Sequence, residues 1–201
     1  IFTLTSAKVF VFYFCRSQNQ PIMKNSLFVL FAVFVVPHAV IGQCKYEQNE
    51  IDKFEKVEKV LTKEVKVLYP TIKFPTVWLS LGRIDTAYFV KIKFYQDKAL
   101  CFGSDSELLI LADSNEVFRL KKNGGLDCTT TFNAGITTVQ QGVLIYEISK
   151  ADLQALSGKT LQMIRIYASG DNIEADIATK NVNKKKGMAF FKNNVACVLK
   201  K

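Results

Sequence analysis

Apolar and polar positions alternate through the middle of the chain as they do in strands. Tyr88 to Tyr95 (YFVKIKFY) sets aromatic or aliphatic residues against lysines at every second position, the period of a strand with one buried face. Glu107 to Ala112 (ELLILA) is a more continuous apolar run, and alternation resumes at Val117-Phe118-Arg119-Leu120. A hairpin is expected to turn between them at Asp113-Ser114-Asn115, because Asp and Asn tolerate the left-handed backbone that tight turns need. Asn123-Gly124-Gly125 marks a further turn. Gly142 to Ile148 (GVLIYEI) and Leu161 to Tyr167 (LQMIRIY) read as two more strands, and Ile173 to Ile177 as a last one after the turn Ser169-Gly170-Asp171-Asn172.

Two helices are expected. Ser149 is placed to cap a short one, with Asp152 at its third position facing the exposed amides and Gly158 ending it. Met188, Phe191, Val195 and Val198 stand at helical spacing, which predicts a C-terminal helix with one apolar stripe. The stretch from Ile51 to Leu68 carries Ile51, Phe54, Val57, Leu61, Val65 and Leu68 at helical spacing, yet Val65-Lys66-Val67 alternates as a strand does. Periodicity alone favours helix there. Tyr69, Phe74, Pro75 and Trp78 form an aromatic and proline-containing patch between strands. Core packing is the default for such residues, and a ligand platform is the sharper alternative.

Several pieces then stand in a familiar order: Asn49-Glu50-Ile51-Asp52-Lys53-Phe54, the hairpin ELLILADSNEVFRL at 107 to 120, Tyr146-Glu147-Ile148-Ser149 leading into Asp152-Leu153, and Met163-Ile164-Arg165-Ile166-Tyr167. In this order the chain resembles a group of uncharacterised secreted or lipid-anchored β-sandwich domains of the Bacteroidetes type. The resemblance implies an extended segment after the Asn-Glu-Ile-Asp stretch, so residues 54 to 68 are expected to be largely strand. The resulting expectation is a mainly β chain, an antiparallel β-sandwich-like domain with a short mid-chain helix and a C-terminal helix. The resemblance carries no activity, cofactor or catalytic residue.

The N-terminal region changes the compartment. Met23-Lys24-Asn25-Ser26 supplies a start and a positive charge, and Leu27 to Val36 (LFVLFAVFVV) is apolar but shorter than the roughly 20 residues of a membrane span. Pro37 and His38 break the run, and Val40-Ile41-Gly42 offers small or aliphatic residues for cleavage. Residues 23–42 therefore read as a secretory signal peptide cut after Gly42, residues 1–22 as an untranslated leader or a fragment tail, and residues 43–201 as one secreted, extracellular domain. The chain has a formal charge of +9. Losing Lys8, Arg16 and Lys24 from its 27 Lys and Arg, against 18 Asp and Glu, leaves +6.

Cys44, Cys101, Cys128 and Cys197 remain in that domain, an even count that reads as two disulfides in an oxidising compartment, with three pairings open. Chain ends often lie close together, which favours Cys44 with Cys197, while Cys101 and Cys128 bracket the expected hairpin. Zinc is disfavoured, since no C-x-x-C spacing exists and the sole His is His38.

Without His in the mature chain, Ser-His-Asp and Cys-His nucleophile systems have no base. Carboxylates such as Asp105 with Glu107, or Asp171 with Glu174 and Asp176, leave a carboxylate-dependent hydrolase as an alternative. The turn Asp113-Ser114-Asn115 lacks the ligand set of a calcium loop, and no cofactor is expected. Lys121 with Lys122, and Lys184, Lys185 and Lys186, are candidate anion-binding residues. They direct the reading to a non-catalytic binding or structural protein facing an anionic polysaccharide, a mineral or a membrane surface, with a self-assembling matrix component as an alternative. Nucleic acid is not expected, because no interleaving of aromatic and basic residues stands out along the sequence.

Overall fold

The computed structural model describes residues 44–69, 75–134, 137–179 and 184–199. The leader, the signal segment and Phe74 lie outside these residues. In chain order the elements begin with β1 (Tyr46–Ile51), β2 (Glu58–Thr62), β3 (Val65–Leu68), β4 (Thr76–Ile84), β5 (Ala87–Gln96), β6 (Cys101–Phe102), β7 (Glu107–Ala112) and β8 (Val117–Lys121). They continue with β9 (Asp127–Cys128), β10 (Thr130–Ala134), β11 (Thr137–Ile148), α1 (Lys150–Leu156), β12 (Leu161–Ala168), β13 (Asp171–Asp176), α2 (Lys184–Met188) and α3 (Phe190–Leu199).

The strands form two main antiparallel sheets. The larger runs β1-β2-β4-β5-β11-β10, with β3 also paired to β4, and the smaller runs β13-β12-β7-β8. Alternate residues of both sheets enter one core, among them Leu79, Ile92, Phe94, Leu144 and Tyr146 from the larger sheet and Leu108, Ile110, Leu120, Ile164 and Ile166 from the smaller. This is the expected sandwich-like, mainly β architecture. Asp113–Asn115 form a single 3-10 turn between β7 and β8, with Asn115 in the left-handed region at φ 59°.

Ser149 caps α1 as expected, its hydroxyl accepting the Asp152 amide hydrogen at 3.0 Å. α1 ends at Leu156 with Ser157 as its C-cap, immediately before Gly158 as expected, although Gly158 itself is not in the left-handed region. At the C-terminus Phe190, Phe191, Val195 and Val198 are fully buried, and α3 packs on β2, β4 and α1. Arg83, on the core-facing side of β4, ties this helix down by donating from Nε to the Val198 carbonyl oxygen at 3.0 Å and pairing with Glu58 at 2.9 Å.

Residues 58–62 and 65–68 are strands, not the helix that periodicity favours. Apolar residues fall three or four apart because Lys63-Glu64 interrupts two short strands that pair with successive parts of β4. Residues 54–57 belong to the loop joining β1 to β2, where Asp52 Oδ1 accepts the amide hydrogens of Phe54 and Glu55.

Trp78, placed between strands by the sequence pattern, lies within β4. Most of that strand is buried on both faces, with Trp78 half-buried on the outward one. Val77, Leu79 and Leu81 point into the core, while on the other face Gly82 leaves room for the Phe89 ring, whose Cζ would be 2.1 Å from an added Cβ.

The cysteines pair as Cys44–Cys197 and Cys101–Cys128, with Cα–Cα separations of 5.6 and 4.0 Å. The second bridge joins β6 to β9, where the two cysteines stand directly opposite. It closes the base of the β7–β8 hairpin.

Candidate binding face

The larger sheet has one face in the core and one turned outward. On β5 the inward residues Val90, Ile92 and Phe94 are fully buried, so Phe89, Lys91, Lys93 and Tyr95 face out. Strand register brings others onto the same side: Lys66 stands opposite Trp78, and Trp78 opposite Lys93. Gln141 stands opposite both Tyr95 and Thr130.

The rings form a connected row. Trp78 and Tyr95 meet edge to face with centroids 4.9 Å apart, and Tyr95 stacks on Phe132 at 6.1 Å with an interplanar angle of 11°. These last two rings meet across β11, which lies between their strands. Val139, on the same outward face of β11, is only 3% exposed although it lies outside the inter-sheet core. At the other end Lys66 Nζ lies 4.4 Å from the Tyr69 ring centroid and 5.1 Å from that of Trp78. Lys93 Nζ is 5.8 Å from both Trp78 and Tyr95. Tyr69 and Phe132, at the two ends, are 46% and 47% exposed, so the row is open to solvent.

This arrangement interleaves aromatic planes with cations. Rings offer stacking surface to any flat or ring-shaped group, and ammonium groups resting on ring faces are held by the quadrupole. Lys91 and Lys93 are also held by Glu64, at 3.3 and 3.7 Å. Lys66 has no carboxylate partner among the described residues.

The sequence-derived candidates are distributed unevenly on this frame. Tyr69 and Trp78 are brought together through Lys66, and Phe74 lies outside the described residues. Lys121 is exposed and lines a recess of about 670 Å³ with Arg83, Tyr88, Arg119 and Lys150. Lys122 corrects the expectation of a two-lysine anion site. Its side chain is fully buried, donates to the Gly125 carbonyl and pairs with Asp127 at 2.7 Å. Strand alternation explains this, since neighbours along an extended backbone point to opposite faces. Lys184, Lys185 and Lys186 are exposed on α2.

Four of the five carboxylates weighed for hydrolysis are engaged elsewhere. Glu107 pairs with Arg119, Asp171 with Lys98, and Glu174 with Arg165, while Asp176 accepts from Thr179. Among the described residues no three His, Cys, Asp or Glu side chains converge as metal ligands. Tyr146 is the most displaced buried acid. Burial pushes its hydroxyl up to about 12, the Ser106 hydrogen bond lowers it and the Asp127 charge raises it.

Lys66, Lys93, Tyr95 and Phe132 are site residues that sequence reasoning missed. Lys93 and Tyr95 were legible in the alternation of YFVKIKFY, which puts both on one face. Phe132 was not, because its neighbour in the row is set by a long-range register. The absence of aromatic and basic interleaving along the sequence is thus reversed in space.

Comparison with protein-family models, with curated proteins and with solved structures finds no match.

Proposed function

We propose that this protein is a secreted, non-catalytic binding module that holds an acidic polysaccharide on the outward face of its larger sheet. The observation that carries this reading is the row Tyr69, Trp78, Tyr95 and Phe132 with Lys66 and Lys93 resting on its rings. Sugar rings present C–H faces that stack on aromatic planes, and the carboxylates or sulfates of an acidic glycan pair with ammonium groups beside them.

Two features support an extracellular setting. The apolar run from Leu27 to Val36 has signal-peptide dimensions, and paired cysteines persist mainly in oxidising compartments. A non-catalytic role is supported by the confinement of the chain's one His to position 38 and by the pairing of Glu107, Asp171 and Glu174 with surface cations. A polysaccharide is favoured over single-stranded nucleic acid, which also stacks on aromatic and basic faces, by that compartment.

Retention on immobilised dextran sulfate and polygalacturonate, read against neutral dextran, tests the proposal. The protein is expected to bind both acidic polymers and to elute with salt. Tyr95→Ala combined with Lys66→Gln is expected to weaken retention at least tenfold with the melting temperature held within a few degrees. Equal retention of this variant, or capture by single-stranded DNA alone, overturns the reading.

A further inference from the structure

Glu64 also lines a second recess. Lys45, Lys63, Glu64, Val65, Lys186, Asn193 and Asn194 line it together with Cys44, and its volume is about 480 Å³. This lies within the roughly 300–1,000 Å³ of small-molecule sites.

Four separate segments converge here. The Lys63 amide donates to the Lys45 carbonyl at 2.9 Å, so the two lysines are cross-strand neighbours just beyond β1 and β2. Lys186 comes from α2, which packs on β3 with Gly187 buried. Asn193 and Asn194 come from α3, and Cys44–Cys197 fastens Lys45's neighbour to that helix one turn after Asn193.

The charge balance is the informative feature. Like charges set opposite each other across strands are destabilising, and here a third cation joins them. Among the described residues the only carboxylate lining the recess, Glu64, is already shared by Lys91 and Lys93. Lys45, Lys63 and Lys186 make no ion pair among the described residues, and the Asn193 side-chain amide makes no hydrogen bond among them. Three exposed lysines with no described carboxylate partner and an exposed amide with no described hydrogen bond, all lining one recess, are the complement of a multiply charged oxyanion.

We propose that Lys45, Lys63, Lys186 and Asn193 form a site for a tetrahedral oxyanion, sulfate or phosphate, taken either free or as a monoester. The three lysines neutralise its charge and the Asn193 amide donates to one oxygen. The Cys44–Cys197 bridge holds Lys45 within reach. The site adjoins the sheet face through Glu64, but the proposal does not rest on polysaccharide binding there.

The test is a backbone and side-chain NMR titration of the disulfide-bonded full chain at constant ionic strength. Chloride, inorganic sulfate, inorganic phosphate and glucose 6-sulfate are the probes, and Trp78 emission is read in the same samples. Sulfate or phosphate is expected to give saturable shifts at Lys45, Lys63, Lys186 and Asn193 that chloride does not. The Lys63→Gln and Lys186→Gln double variant, with an unchanged melting temperature, is expected to lose affinity at least tenfold. Tighter binding of the sugar ester than of the inorganic ions assigns the site to a monoester, and equal binding assigns it to the free ion. Shifts that do not saturate, that match those with chloride, or that persist in the double variant indicate an adventitious ion only and overturn the proposal. Trp78 emission unchanged by the inorganic ions separates this site from the sheet face.

Discussion

At the scale of single residues, Lys121 and Lys122 show what an extended backbone does to adjacent identical side chains. Lys121 meets solvent, while Lys122 is fully buried against Asp127 and the Gly125 carbonyl. Asp127 is half exposed and regains water when the cation is removed, so the loss is that of the buried side chain's packing and its hydrogen bonds, and Lys122→Ala is expected to cost about 1–2 kcal/mol in chemical denaturation. Lys121→Ala is expected to stay within about 0.5 kcal/mol, as surface changes do. Equal effects would contradict the placement. Gly142 makes a comparable point in the core. A Cβ there would lie 2.1 Å from Phe94 Cζ, and the Phe94 ring is fully buried. Gly142→Ala is expected to destabilise by about 1–3 kcal/mol, because the ring has no space to retreat into. Neither outcome is legible in the sequence: KK and the glycine of QQGVLI look like a basic pair and a strand boundary, and Gly142 in fact lies in the middle of β11.

At the scale of elements, β5 was legible because only one of its faces is in the core, so YFVKIKFY alternates cleanly. β4 was not, since TVWLSLGRI buries Val77, Leu79 and Leu81 on one face and Ser80 and Gly82 on the other, which blurs the alternation around half-buried Trp78. β1 was missed for the opposite reason, as YEQNEI is an edge strand with little buried on either face. The β1–β2 hairpin is organised by Asp52, whose carboxylate accepts from the Lys59 ammonium and from the Glu55 and Phe54 amides, holding its pKa down to about 2 from 3.8. A depressed carboxylate contributes stability that is present above pH 3.8 and lost as pH falls toward 2. Melting temperatures measured from pH 5 to pH 2 are therefore expected to fall less steeply in Asp52→Asn than in the parent. Identical slopes would remove Asp52 from the account. The disulfides differ by loop length, with sequence separations of 153 for Cys44–Cys197 and 27 for Cys101–Cys128. On the chain-entropy account, replacing the first pair by Ser costs about 5 kcal/mol and the second about 3.5. Denaturation of the two double variants measures the order, and a larger loss for the shorter loop would contradict it.

At the scale of the whole molecule, the fold class was legible because alternation, turn residues and one helix cap agreed. The candidate face was only partly so. Tyr69 and Trp78 stood out as an aromatic patch, but the row they belong to is assembled from β4, β5, β10 and the segment around β3, whose adjacency depends on sheet order and register. Local pattern contains no information about which distant strand lies alongside. The overall basic balance pointed to an anionic partner without locating where it would sit. Trp78 gives the central claim a direct probe, because it is the only tryptophan of the chain and sits within the aromatic row. Its fluorescence should therefore be followed during titration with dextran sulfate and with neutral dextran. The account predicts a saturable change in emission with the acidic polymer, reversed by salt and absent with the neutral one. Unchanged Trp78 emission while the protein is demonstrably bound to the acidic polymer would contradict it.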